Sequence, residues 1–143
     1  MRVVVDTNVW VSGLAFPDGT PGRVIQAVRQ GTVEAVASWE LAAEITEVLR
    51  RPRIRALGVT EEDEEDALVL LAPALPDVDV EVELRDPDDA PVIAAALAGS
   101  AAAIVTGDRG LLDDAELRKW LGARGVELLE PAELLVSLQA QHS

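Results

Sequence analysis

Four acidic positions carry the chemistry that this chain is equipped for: Asp6, Glu44, Asp89 and Asp108. Asp6 ends the run Arg2-Val3-Val4-Val5, whose unbroken β-branched stretch reads as a strand buried on both faces. A lone ionised carboxylate beside a desolvated strand is costly unless it is hydrogen-bonded, neutralised or bound to a cation. Asp108 repeats the arrangement in Thr106-Gly107-Asp108, directly after the apolar run from Ala102 to Val105. Carboxylates gathered in one pocket repel one another, and protonation or cations relieve the repulsion. The chain has no cysteine and a single histidine, His142. All-oxygen ligation of this kind selects Mg²⁺ or Mn²⁺ over zinc. The matching chemistry is metal-assisted hydrolysis of a phosphodiester, with Asp6 and Asp108 as principal ligands and Glu44 and Asp89 as ligands or positioners of water.

The elements must bring these four together. Thr7 or Asn8 can cap a short helix reaching about Ala15, and Thr20-Pro21 opens a second helix carrying Val24, Ile25 and Val28. Val33 to Ala37 is a short strand, and Ser38 caps a helix from Trp39 to about Arg51, closed by Pro52. Within it Leu41, Ile45, Val48 and Leu49 form an apolar stripe. At about 100° per residue Glu44 lies beside that stripe, partly buried, while Glu40 and Glu47 turn toward solvent. Thr60-Glu61-Glu62-Asp63 resembles a capping box, followed by a helix that places Leu68, Leu70, Leu71 and Leu75 in the core. Val78, Val80 and Val82 alternate with acids, as in an edge strand. Asp86-Pro87-Asp88-Asp89-Ala90-Pro91 leads into an alanine-rich helix ended by Gly99. Beyond Asp108, Leu117 to Leu121 lie in a helix, Val126 to Leu129 form a last strand, and Pro131 to Leu138 a last helix.

Strands alternating with helices imply a single α/β domain over residues 1–138, a three-layer α/β/α sandwich around a parallel sheet of about five strands. Residues 139–143 form a polar tail. In such a fold Asp6 and Asp108 share one sheet edge, at which the helices bearing Glu44 and Asp89 can begin. Each acid has a plainer use as well: Asp89 and Asp108 suit helix caps, and Glu44 can simply border its helix. Trp10, Trp39 and Trp120 read as packing residues rather than base-stacking platforms.

A net charge of −14 argues against a general nucleic-acid-binding surface. Positive charge for a phosphate must be local, from a bound cation or from the cluster Arg50, Arg51, Arg53 and Arg55. The same cluster equally suits a solvated helix end. The absence of cysteine fits a reducing compartment, and no segment looks like an export signal or a membrane span, so a soluble cytoplasmic protein is expected. A receiver-type phosphoryl-transfer domain would want an adjacent acidic pair after the first strand and a nearby lysine; here Asp6 precedes Thr-Asn, and Lys119 is the sole lysine.

Val-Val-Val-Asp-Thr-Asn at the start, Glu44 within Glu-Leu-Ala-Ala-Glu-Ile-Thr-Glu-Val-Leu-Arg-Arg-Pro, Asp-Pro-Asp-Asp-Ala-Pro-Val-Ile-Ala-Ala-Ala-Leu-Ala, and Val-Thr-Gly-Asp follow in the order of the motifs of PIN-domain nucleases. Nearly the whole chain resembles that family, and within it the toxins of bacterial and archaeal toxin-antitoxin pairs related to VapC ribonucleases. The resemblance implies a five-stranded parallel sheet, often in a homodimer. It also implies an Mg²⁺- or Mn²⁺-dependent endoribonuclease that releases a 3′-hydroxyl, and a cognate antitoxin partner. Asp6, Glu44, Asp89 and Asp108 become the acidic site, with Asn8 and Thr106 as supporting polar residues and Arg50, Arg51 and Arg53 as RNA contacts. Asp88 adjoins Asp89 and competes for the third position; Asp86 and Asp113 are further acids nearby. A non-catalytic PIN-like module that binds nucleic acid or protein is the alternative.

Overall fold

A computed structural model describes residues 1–82 and 84–142. The chain runs β1 (Arg2–Val5), α1 (Thr7–Ala15), α2 (Thr20–Arg29), β2 (Glu34–Ala35), α3 (Trp39–Leu49), α4 (Pro52–Arg55) and α5 (Glu61–Leu70). A 3-10 turn over Pro87–Asp89 then opens α6 (Ala90–Ala98), followed by β3 (Ala103–Val105), α7 (Arg109–Leu112), α8 (Ala115–Gly122), β4 (Glu127–Leu129) and α9 (Pro131–His142). All pairings are parallel, in the order β2-β1-β3-β4. The last helix passes Leu138 and continues to His142.

This order decides where a ligand belongs. From β1 the chain moves outward to β2, then returns across β1 to β3 and continues the other way to β4, so the strand order reverses between β1 and β3. In open parallel sheets the crevice beyond the carboxyl ends of the strands at such a reversal is where ligands bind. Helix α6 packs on β1 and β3 and α8 on β4, α1 lies against both α2 and α3, and α9 returns to pack on α2.

The central strands are β-branched because both faces are covered: Val3, Val4, Val5, Ile104 and Val105 are all fully buried. Helix α6 packs on β1 and β3 through small residues, with Ala95 and Ala96 fully buried. Gly99 ends α6, as its position predicts, for want of a Cβ: that atom would lie 2.7 Å from Val36 Cγ2.

Two expectations change. The described sheet has four strands rather than five, and Val78 to Val82 do not pair. Leu75 makes a single parallel bridge with Ser38, its N–H donating to the Ala37 carbonyl at 2.8 Å and its carbonyl accepting from Trp39 N at 2.8 Å. The ladder stops after one residue because its partner segment turns into α3 at Trp39. Val80 and Val82 still rest against the core, which accounts for the alternation. On α5 the Thr60–Asp63 capping box forms, but Leu68 points outward and Leu70 is only half-buried, and the apolar burial falls to Ala67 and to Leu71 just past the helix end.

Candidate active site

Asp6 is the N-cap of α1, its own N–H still donating to the Val105 carbonyl at 2.9 Å as the last rung toward β3. Its side chain is 8% exposed and collects three donors. Oδ1 accepts from the Thr7 N–H at 2.8 Å; Oδ2 accepts from the Thr106 hydroxyl at 2.8 Å and from Asn8 Nδ2 at 3.0 Å. The fully buried Thr106 oxygen also accepts from the Asp108 N–H at 3.0 Å, and Asn8 Oδ1 accepts from the Gly107 N–H at 3.0 Å. Thr106 and Asn8 thus stitch the turn after β1 to the turn after β3 across the strand-order reversal. Asp108, exposed, caps α7 by accepting from the Gly110 N–H at 2.8 Å, so its plainer use is real and leaves Oδ2 open.

Glu44 arrives from α3, which Ser38 starts by accepting from the Leu41 N–H at 3.2 Å. Helical rotation sorts its acids as the spacing predicts: Glu44 is half-buried, and Glu40 and Glu47 are exposed. Glu44 Oε2 accepts from the Thr7 hydroxyl at 2.6 Å. Thr7 therefore touches two acids at once, through its N–H to Asp6 and its hydroxyl to Glu44. Sequence reasoning treated Thr7 only as a cap, because the contact depends on α1 lying beside α3. Beyond Glu44 a groove of about 500 Å³ runs between Glu40, Ala43, Glu44 and Glu47 on α3 and Pro87, Asp88 and Pro91 opposite.

Asp86 rather than Asp88 or Asp89 caps the turn into α6, accepting from the Asp88 N–H at 3.0 Å. The Asp89 side chain caps nothing. Burial, followed by the charge of Asp108 and then of Asp86, Asp6 and Asp88, pushes the Asp89 carboxyl from 3.8 up to about 6. Asp88 instead faces the groove beside Glu44.

The carboxylates sense one another. Burial raises the Asp6 carboxyl above its ordinary value and Asp108 adds to the rise, against the lowering by its three donors. Burial raises Glu44 too, with Thr7 opposing and Asp6, Asp88 and Glu40 adding. Among the described residues no three acidic or imidazole groups are gathered closely enough to form a ready-made metal site. The donor chemistry nevertheless fits a hard divalent cation: every available ligand is a carboxylate or hydroxyl oxygen, and the mutual repulsion that adds to burial in raising Asp6, Glu44 and Asp89 is the kind that such a cation removes.

The arginine cluster is largely engaged. Arg50 and Arg55 clamp Glu64, only 4% exposed, at 2.6 and 2.8 Å, and Arg51 pairs with Glu47 at 3.0 Å. Arg53 has no such partner among the described residues. Asp113 pairs with Arg109 at 2.8 Å, which holds its carboxyl below the ordinary value. Of the tryptophans, Trp10 is fully buried and Trp120 is half-buried under Arg124, 3.7 Å from the ring centre, as packing residues should be. Trp39 departs from that expectation: it is 60% exposed, with no described residue covering its side of the first turn of α3.

A parallel α/β sheet with an acidic pocket at its order reversal defines a class of fold suited to binding a cation and an anionic substrate together. Residues 2–110 match the PIN domain family, a span that includes all four acids, Asn8 and Thr106, and the chain belongs to that family. PIN domains are generally metal-dependent nucleases. The chain is also similar to an uncharacterized protein of Methanocaldococcus jannaschii, 29% identical over 139 residues that cover 92% of this chain and 86% of that one. No solved structure matches the chain significantly. No described helix is long and apolar enough to cross a membrane.

Proposed function

We propose that this protein is an Mg²⁺- or Mn²⁺-dependent endoribonuclease with Asp6, Glu44, Asp89 and Asp108 as its acidic site. One observation supports it above the rest. Three of these carboxyls are raised by burial and by one another's charge, at the strand-order reversal of a PIN domain. Asp6 and Asp108 are the principal ligands. Each is fixed by backbone donors and keeps lone pairs free. Glu44 and Asp89, with one hydrogen bond and none, are ligands or positioners of water. Asn8 and Thr106 hold the Asp6 and Asp108 turns in register. A bound cation would lower the pKa of a coordinated water and offset charge on the phosphate. Hydrolysis then adds water at phosphorus, breaks the bond to the 3′ oxygen and leaves a 3′-hydroxyl and a 5′-phosphate. Since Arg50, Arg51 and Arg55 are ion-paired, any contact from this cluster to a flanking phosphate falls first to Arg53.

The order of the four motifs supports a finer reading, the toxin half of a toxin-antitoxin pair acting on RNA in the cytoplasm, held by a cognate antitoxin and paired as a homodimer. The test of the core reading is cleavage of a panel of structured and single-stranded RNAs with Mn²⁺, with EDTA, and by the Asp6→Asn protein. Cleavage should require both the metal and Asp6, with the circular dichroism of the variant unchanged. Wild-type activity in Asp6→Asn would refute the assignment. No cleavage together with no calorimetric Mn²⁺ binding would leave a non-catalytic PIN-like module.

A further inference from the structure

Thr7 is the first helical residue of α1, and its hydroxyl has no local use. Inside a helix a threonine hydroxyl commonly donates to the carbonyl four residues back, as Thr46 does to Ala42 at 2.9 Å within α3. Four residues before Thr7 stands Val3, still in β1, whose carbonyl already accepts from the Val36 N–H at 2.9 Å. The Thr7 proton goes instead to Glu44 Oε2 at 2.6 Å, 37 positions along the chain. The N–H of the same residue donates to Asp6 Oδ1 at 2.8 Å. One short residue at the end of β1 therefore fixes two acids from different elements.

The two side chains that meet here differ in stiffness. Threonine is branched at Cβ and confined at χ1. Glu44 is longer and freer, is half-buried, and opens on the groove that it lines with Glu40, Glu47 and Asp88. Burial, and then the charges of Asp6, Asp88 and Glu40, disfavour its ionised form, and the Thr7 hydrogen bond favours it. Without that bond, repulsion from Asp6 turns the carboxylate out toward solvent. A tie between α1 and α3 is the plainer use of the contact. Those helices already pack on each other, however, and a half-exposed hydrogen bond adds only modestly to that.

We propose that Thr7 is a positioning residue, whose hydroxyl keeps the Glu44 carboxylate beside Asp6 so that a divalent cation meets both in place. This rests on the metal-dependent nuclease reading and adds a residue to its site. A partner that orients a ligand without touching the metal typically contributes about 10- to 100-fold in metal affinity.

The test is calorimetric titration of Mn²⁺ into EDTA-treated, dialysed protein with no RNA present. Thr7→Val keeps the shape of the side chain and the N–H to Asp6, and should weaken binding by about 10- to 100-fold. Thr7→Ser keeps a hydroxyl and should bind close to wild type. Thr46→Val removes a hydroxyl that bonds only within α3 and should match wild type. In a Glu44→Ala background Thr7→Val should lower the affinity no further, because Thr7 acts through Glu44. Equal affinity in wild type and Thr7→Val, or an equal loss in Thr46→Val, overturns the positioning role and leaves the nuclease reading standing. So does a further loss in the Glu44→Ala background. A wild-type protein that binds no Mn²⁺ overturns both.

Discussion

Asp89 should make the metal-free protein less stable as pH rises, and its replacement by asparagine should stabilise it. Its carboxyl titrates at about 6 in the folded chain against an ordinary 3.8, so folding favours the protonated form. A group with a raised folded pKa contributes stability that is fully present below its unfolded value and is lost as pH climbs through the folded one. The window is therefore about pH 4 to 7. A rise of this size corresponds to roughly 3 kcal/mol. Asp89 is only half-buried, and solvent screening cuts that to about 1–2 kcal/mol. For a chain of this length the change is roughly 3–8 °C in melting temperature. The assay is thermal unfolding in EDTA at pH 4.5 and 7.5 for the wild type and Asp89→Asn. The variant should lead slightly at pH 4.5, which already lies above the unfolded value, and by the full amount at pH 7.5. The difference between them isolates Asp89 from the general self-repulsion of a chain with net charge −14. Superimposable curves at both values would refute the crowding of charge at this site. So would a variant less stable at pH 7.5.

Two further outcomes test the scaffold around the acids. Thr106→Val removes the buried hydroxyl that donates to Asp6 and accepts from the Asp108 N–H, and should cost about 1–3 kcal/mol in denaturant unfolding, recovered by Thr106→Ser; an unchanged midpoint would show that the stitch between β1 and β3 is dispensable. Glu64→Ala removes the shared partner of Arg50 and Arg55. A fully buried pair would cost about 3–5 kcal/mol, but Arg50 is largely exposed and can turn to solvent, so about 1–3 kcal/mol is expected. Arg53→Ala, measured alongside, should stay within about 0.5 kcal/mol of wild type.

How much of this was readable beforehand depended on whether the cause was local. Asp6 and Asp108 could be placed because a β-branched run is buried on both faces wherever it sits, and an acid that ends it needs partners. Glu44 could be separated from Glu40 and Glu47 by rotation about one helix axis, and Ser38 and Thr60 were recognisable caps. What escaped depends on neighbours that no single stretch reveals. The Thr7 hydroxyl reaches Glu44 across 37 positions, and Glu64 takes Arg50 and Arg55 from two other elements. Alternation in Val78, Val80 and Val82 records contact with the core at Val80 and Val82 but not strand pairing. Asp88 and Asp89 look alike in sequence. In the fold, one faces the groove beside Glu44 and the other senses Asp108 and Asp6.

The site is built in two parts of unequal stiffness. Asp6 and Asp108 sit on turns joined through Thr106 and Asn8, and both use backbone N–H donors, so their spacing is inherited from the β1–β3 pairing. Glu44 hangs on one hydroxyl and Asp89 on no cap at all. Uncompensated charge in the second part costs stability, which is what the raised carboxyls express. A fold selected only for stability would place asparagine or glutamine at these positions with little loss of packing. Carboxylates that are costly in the bare protein and free to move toward a shared cation make sense where ligand binding completes the pocket.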